Sequence, residues 1–417
     1  MAIANAINKQ VIIGKQSAQG TVATAGGTSQ KLRFLKFNQG EERENYKSAE
    51  HRPDRQVGDV NLGPRECNGT MYGELSPLTY KDFTASILRK AWATGGSVTS
   101  LKDVVADSTT GAAGTFTTTL GSFITTGKFK VGDVVRWTGF TGGNATANNN
   151  HNMLITDLTD TVMTVLCLDG NPVVDDASGD SVSCAVVGKK CWVPASGHTE
   201  DWWTIEHYYS DLDLSEVFYD CKPSKMSVKV AATGIPTIDF DILGLNVNML
   251  TTSTSPYFSA PTAITTTEQC LAAKAIIILS GTVQTVATSF NVDITGNNKT
   301  LPAVISSVTK PGISDGVLEV SGSLSVYFEN ETIRDMFRNE TDAAIYAVLP
   351  LSNEADADFV AFTLPACVLT TATKDGDQEI VQTVSFQAKF NAAGDDGSTC
   401  TVNSLATTIS IQDSKVS

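Results

Sequence analysis

The chain carries four histidines, His51, His151, His198 and His207. A zinc site needs ligands at close, regular spacing, and none of these forms a His-Glu-x-x-His pair. Eight cysteines (67, 167, 184, 191, 221, 270, 367 and 400) are scattered along the chain with no Cys-x-x-Cys. That pattern reads as reduced, mostly buried thiols, not as a disulfide scaffold or a metal cage. Gly121 to Lys128 (GSFITTGK) imitates a phosphate loop. Five residues separate its glycines, however, and Phe129 follows the lysine where Ser or Thr would be needed. No Gly-x-Ser-x-Gly elbow is present.

Carboxylates are the remaining chemical resource. Asp211/Asp213, Asp239/Asp241, Asp356/Asp358 and Asp375/Asp377 are spaced two apart, which sets both members on one face of a strand. Such pairs suit acid/base work, a divalent ion, a solvated strand face, or a negatively charged wall. An acidic segment, TEDWWTIEHYYSDLDLSEVFYD (199–220), holds seven carboxylates and no Lys or Arg, and His198 and His207 flank its Trp-Trp pair. A charged loop mixes Arg43, Arg52 and Arg55 with Glu41, Glu42, Glu44, Glu50 and Asp54. Arg is favoured at protein interfaces, so Arg43, Arg52, Asp54 and Arg55 are candidates for contacts with a neighbouring subunit.

The formal net charge of −15 argues against a protein that grips nucleic acid, which needs clustered cations to displace counterions. An acidic surface would instead let a polyanion slide past. The longest apolar run, AAKAIIILSG (272–281), is strand-sized and falls short of the roughly 18–20 residues that span a membrane. The N-terminus lacks a signal-peptide core, so a soluble, unprocessed chain made in a cytoplasm is expected.

These residues must be positioned by short strands, since Thr, Ser, Val, Ala and Gly dominate. One strand pattern occurs twice: NGTMYGEL (68–75) and SGSLSVYF (321–328). Each opens with a small polar residue and Gly, then alternates side chains. A helix-like stretch follows each, TYKDFTASILRKAW from Thr79 and NETIRDMF at 330–337. Downstream, FYDCKPSKMSVKVA (218–231) and FTLPACVLTTAT (362–373) each lead into an alternating strand, from Thr237 and from Thr383. Matching elements in the same order point to one β module built twice. Thr70, Tyr72, Glu74, Ser323, Ser325 and Tyr327 mark the candidate barrel strands.

The first module is interrupted. Residues 1–30 read as an extended arm and 40–63 as a long loop or the outer part of a hairpin. ATGGSVTS (93–100) reads as a linker. Residues 101–195 carry short alternating strands and turn signals, among them FKVGDVVRWTGF (129–140) and Asp169-Gly170, as in a small barrel or sandwich. TTSTSPYFSAPT (251–262) reads as a second linker. The expected division is 1–98 and 196–260 for the first module, 99–195 for the insert, and 261–417 for the second module. The fold class is mainly β: two tandem β-sandwich modules, each with a flanking short helix, plus a small inserted β-barrel or sandwich.

The chain resembles the tail tube (major tail) proteins of long flexible-tailed bacteriophages. The resemblance lies in GKQSAQGT (14–21), HRPDRQVGDVNLG (51–63), CNGTMYGELSPLTYKDFTASILRKAW (67–92), GDVVRWTGFTGGNATANNNHNMLITDL (132–158) and SGSLSVYFENETIRDMFRNETDAAIYAVLP (321–350). It implies a structural virion protein with no enzymatic activity, cofactor or metal. It further implies rings stacked into a hollow tube through which DNA passes, other tail proteins at the tube ends, and no membrane. A duplicated module implies three chains per ring with pseudo-sixfold symmetry; six chains are the alternative. A rival reading is a multi-domain β protein that recognises carbohydrate or a cell surface through loop 141–152 and Trp202, Trp203, Tyr208 and Tyr209. A carboxylate-dependent hydrolase is a third, without motif support.

Overall fold

The computed structural model describes residues 4–51, 53–54, 56, 58–109, 111–120, 122–376, 379–394 and 405–417. It is mainly β, with 47% strand and 7% helix. The first half begins with β1 (Lys9–Lys15), β2 (Ser29–Leu32), β3 (Lys36–Gln39), β4 (Glu42–Lys47), β5 (Val60–Glu66), β6 (Gly69–Glu74) and helix α1 (Lys81–Leu88). β7 (Ala93–Thr94) leads to a separate seven-stranded sheet. Its strands are β8 (Ser97–Leu101), β9 (Val105–Ser108), β10 (Ala113–Thr117), β11 (Val134–Thr138), β12 (Met153–Leu158), β13 (Val162–Cys167) and β14 (Val182–Val186). The chain then returns through β15 (Lys189–Trp192) to β16 (Trp203–Tyr209), β17 (Leu214–Ala231), β18 (Thr237–Leu243) and β19 (Asn246–Thr251).

The second half runs β20 (Ile276–Leu279), β21 (Thr282–Val283), β22 (Ala287–Thr295), a short ribbon of β23 (Lys299–Thr300) and β24 (Ile313–Ser314), and β25 (Glu319–Tyr327). Helix α2 (Thr332–Arg338), β26 (Ala343–Pro350), β27 (Phe359–Asp375), β28 (Val381–Ala388) and β29 (Ser410–Asp413) complete it.

One long strand organises each half. The first part of β17 pairs with β16 and β19; its second part pairs with β18 and β22. β27 likewise begins between β26 and β29 and continues against β28. Each strand passes from one layer of a sandwich to the other, and β-bulges supply the bend. The bulges sit at equivalent places. In β17 they follow Phe218 and Pro223; in β27 they follow Leu364 and Leu369. Cys221 and Cys367 therefore occupy the same position.

Register carries the repeat through the rest of the sheet. Asn38 pairs with Thr70 and Thr70 with Asp241; Asn291 pairs with Ser323 and Ser323 with Ser385. On this alignment Phe37 matches Phe290, Asn38 matches Asn291 and Gly69 matches Gly322. The two glycines share a physical cause. A Cβ on Gly69 would collide with the Asn38 carbonyl oxygen, and one on Gly322 with the Asn291 carbonyl oxygen. The neighbouring backbone comes too close for any side chain. The structure slides the downstream pairs by two residues from the sequence reading: Phe218 matches Leu364, and Thr237 matches Val381.

Three sequence expectations are corrected, and a fourth, left between a loop and a hairpin, is decided. The supposed arm contains β1, whose Val11, Ile12 and Ile13 are buried between β2 and β16. Segment 93–100 holds β7 and the start of β8 and is not a free linker. Segment 251–262 is a strap: Phe258 is buried against Ile12 and Ala23, and Glu206 accepts from the Tyr257 and Phe258 amides. Of the two readings of segment 40–63, the structure takes the hairpin, with β4 on β5.

Alternating apolar residues from both halves form one continuous core. Helix α1 plugs the first sandwich; its Phe83 meets Trp203 and Phe240 edge-on at 5.7 and 5.5 Å. The small sheet has its own core around Trp137, Phe116 and Phe123. It docks on the second half through Val134 and Leu154, which meet Ile278, Tyr346 and Phe359. A fully buried ion pair, Lys190 with Asp133, and Gln412 bonding both backbone groups of Val134 fix that seat. Removing one partner of a buried pair strands the other charge. Lys190→Met is expected to destabilise the chain by about 3–5 kcal/mol. Urea unfolding checks this; a loss under about 1 kcal/mol would contradict the importance of the pair.

Candidate assembly surface

The second part of β17 joins β22 antiparallel over Lys225–Ala231. That join merges two four-stranded units into one row, in the order β3, β6, β18, β17, β22, β25, β28, β27. Successive residues of a strand face opposite sides, so one side of the row points to the core and the other to solvent. β18 shows this cleanly: Ile238, Phe240 and Ile242 are buried, while Asp239 and Asp241 are on the solvent side.

That solvent side is a polar carpet. β6 contributes Thr70, Tyr72 and Glu74, and β25 contributes Ser321, Ser323, Ser325 and Tyr327. All six residues singled out in the sequence as barrel-strand positions lie on it. Asn291, Asp293, Thr383, Ser385 and Gln387 continue the surface. Carboxylates outnumber ammonium groups, but the charges are partly matched. Lys229 binds Asp239 at 2.8 Å, Lys225 approaches Asp293 at 3.6 Å, and Thr70 donates to Asp241 at 2.7 Å. Of the readings the sequence left open for the paired carboxylates, Asp239 and Asp241 lie on a solvated strand face, and the ion pairs offset part of its negative charge.

Both ends of the row are open. Among the described residues, no strand pairs with the outer edge of β3 or with the outer edge of Val368–Asp375 in β27. The β4–β5 hairpin projects beyond the row and exposes Tyr46, Val60 and Leu62. Beside it, loop 301–308 exposes Val304, Ile305 and Val308, and Lys310 ties the two together by its ion pair with Glu66. Arg43 lies on this hairpin and pairs with Glu41 at 2.8 Å. Asp54 is at its tip, where it accepts from the Gln56 amide. Arg52 and Arg55 lie outside the described residues, as does Asp377.

No grouping of metal-ligating side chains occurs among the described residues. The seven described cysteines are buried free thiols, and burial pushes Cys67, Cys167, Cys270 and Cys367 up to about 12. His151 bonds Asp169 at 2.6 Å, and His198 and His51 are exposed. Asp211 and Asp213 lie at a turn; Asp358 binds Lys415 at 2.9 Å. In the aromatic cluster Trp202 and Trp203 are buried and withdrawn from any sugar, while Tyr208 and Tyr209 are half-buried. No helix among the described residues is long and apolar enough to cross a membrane.

These features define a β-structured building block whose prominent surfaces are a polar sheet face and unsatisfied sheet edges. The profile of the family described as phage tail tube protein matches residues 7–388. The chain belongs to that family and is a structural component of a bacteriophage virion. No curated protein matches it.

One buried group beneath β3 generates a pH prediction. His207 lies between Phe37 of β3 and Phe218 of β17, with ring centroids 4.7 and 5.1 Å away, and neither ring nitrogen has a hydrogen-bond partner. Burial, helped by the Lys9 charge, holds its pKa well below the ordinary value. The unfolded state therefore takes up a proton that the folded state refuses. Stability is present above the ordinary histidine pKa and lost as pH falls through it. His207→Phe is expected to stabilise the chain by about 1–3 kcal/mol near neutrality and by more in mild acid. Denaturant midpoints across pH check this; a parallel acid loss in both proteins would contradict it.

Proposed function

We propose that the chain polymerises as rings that stack into the tail tube, a hollow conduit for DNA ejected into the host. Three chains make a ring, each giving two wall units, so that the ring has pseudo-sixfold symmetry. The observation that carries this reading is the eight-strand row: one chain joins two equivalent wall units and leaves one open edge at each end. Open edges are an aggregation hazard that ring closure removes. An edge meeting a different edge is a heterologous contact, which closes when the rotation permits.

In this reading the polar carpet lines the lumen, with Thr70, Tyr72, Glu74, Ser323, Ser325 and Tyr327 among its residues. Its hydroxyls, amides and matched charges offer a polyanion neither a cluster of cations to bind nor a strongly repelling wall. The β4–β5 hairpin, through Arg43 and Asp54, contacts a neighbouring subunit, as do the sequence candidates Arg52 and Arg55. Residues 1–98 and 196–260 form the first tube module, 261–417 the second, and 99–195 an outer decoration held against the second module. Assembly takes place in the host cytoplasm, and other tail proteins close the tube ends. The chain has no enzymatic role.

Negative-stain microscopy with native mass measurement of purified rings tests the proposal. The expected result is a hollow ring of three chains whose class averages look sixfold. Six chains per ring would overturn the stoichiometry, and a protein that stays monomeric under all assembly conditions would overturn the function.

A further inference from the structure

The repeat predicts how one copy meets the next, given the ring reading above. Within the chain, β17 and β22 pair Met226 with Ile294, Ser227 with Asp293, Val228 with Val292 and Lys229 with Asn291. The shared bulges and registers equate β17 with β27 and β22 with β3. We propose that the free edge of β27 pairs antiparallel with the free edge of β3 in a second copy, in the same register. Ala372 then faces Glu41, Thr373 faces Gly40, Lys374 faces Gln39 and Asp375 faces Asn38. The pairing stops there, because the Phe37 carbonyl already accepts from Lys9 Nζ at 2.8 Å.

The two joins differ in chemistry. On the core side, the join within the chain packs Met226, Val228, Ile294 and Val292, all buried. The equivalent positions between copies are Ala372, Lys374, Glu41 and Gln39. Lys374 now lies over the Phe328 ring at 3.3 Å, and Glu41 is held by Arg43. In the proposed register Lys374 is diagonal to Glu41, within reach of a cross-strand ion pair. The ring thus alternates an apolar join inside each chain with a charged seam between chains. A lysine on an open edge also keeps a free chain from pairing indiscriminately.

The test places cysteines in register, Thr373→Cys with Gly40→Cys, both on the solvent side. A Cβ at position 40 has open space around it. Paired strand positions meet the separation a disulfide requires. After oxidation of assembled protein, a non-reducing gel is expected to show covalent species that end at three chains. Thr373→Cys with Gln39→Cys puts the thiols on opposite sides of the sheet and is expected to link at least about tenfold less. Rings in the microscope without an in-register link, or equal linking in both variants, would overturn the seam and leave the tube reading standing. Absence of rings from the folded unmodified chain would overturn both. Lys374 gives a second readout free of added thiols. Lys374→Glu is expected to raise the concentration for half-assembly at least about tenfold, and Lys374→Val, copying Val228, to make assembly less salt-sensitive. Unchanged assembly in both would contradict the charged seam.

Discussion

A β-strand leaves its backbone groups unsatisfied unless both edges are paired or wet. The antiparallel join of β17 to β22 meets that constraint for one edge of each repeat, and everything else about this molecule depends on it. Without the join, the chain would be two small sandwiches on a tether. With it, the two halves share one sheet and one apolar core. The polar face becomes continuous across the repeat boundary, and only two of the four terminal edges remain open.

The long strands β17 and β27 make the join possible. Each starts in the outer layer of its sandwich and ends in the shared row, and a pair of bulges at matched positions turns it. Helix α1 fills the space beneath the first bend with Phe83, against Trp203 and Phe240. The inserted sheet lies on the second half and is seated by the buried Lys190–Asp133 pair and by Gln412. The C-terminal strand β29 lies between β15 and β27, so the exit of the insert and the end of the chain are stitched into the second sandwich.

Much of this was legible in the residues, for identifiable reasons. The β6 and β25 patterns stand out because one face of each strand is wet and the other buried, which forces alternation. Their small-residue-plus-glycine opening also has a cause: the carbonyls of Asn38 and Asn291 leave no room for a Cβ. The strands paired with them, β3 and β22, did not show as a repeat, since Phe37-Asn38 and Phe290-Asn291 are too short a match to signal one. β1 was mistaken for an arm because its three buried residues sit among small polar ones. The two-residue slip in the β17/β27 match has the bulges as its reason, since they shift the register and the shared phenylalanines Phe218 and Phe362 do not reveal it. Trp202 and Trp203 looked like a binding surface because nothing local reveals that α1 and Lys222 cover them. The open edges were not legible at all; they are a property of pairing, which no single segment encodes.

Hydrogen–deuterium exchange on the free, unassembled chain tests the central claim most directly. If β17 and β22 already join two repeats into one sheet, amides of Lys225–Ala231 will be protected, while those on the outer edge of Val368–Asp375 will exchange quickly. Fast exchange in both segments would mean that the repeats are not joined before assembly, and would contradict the account.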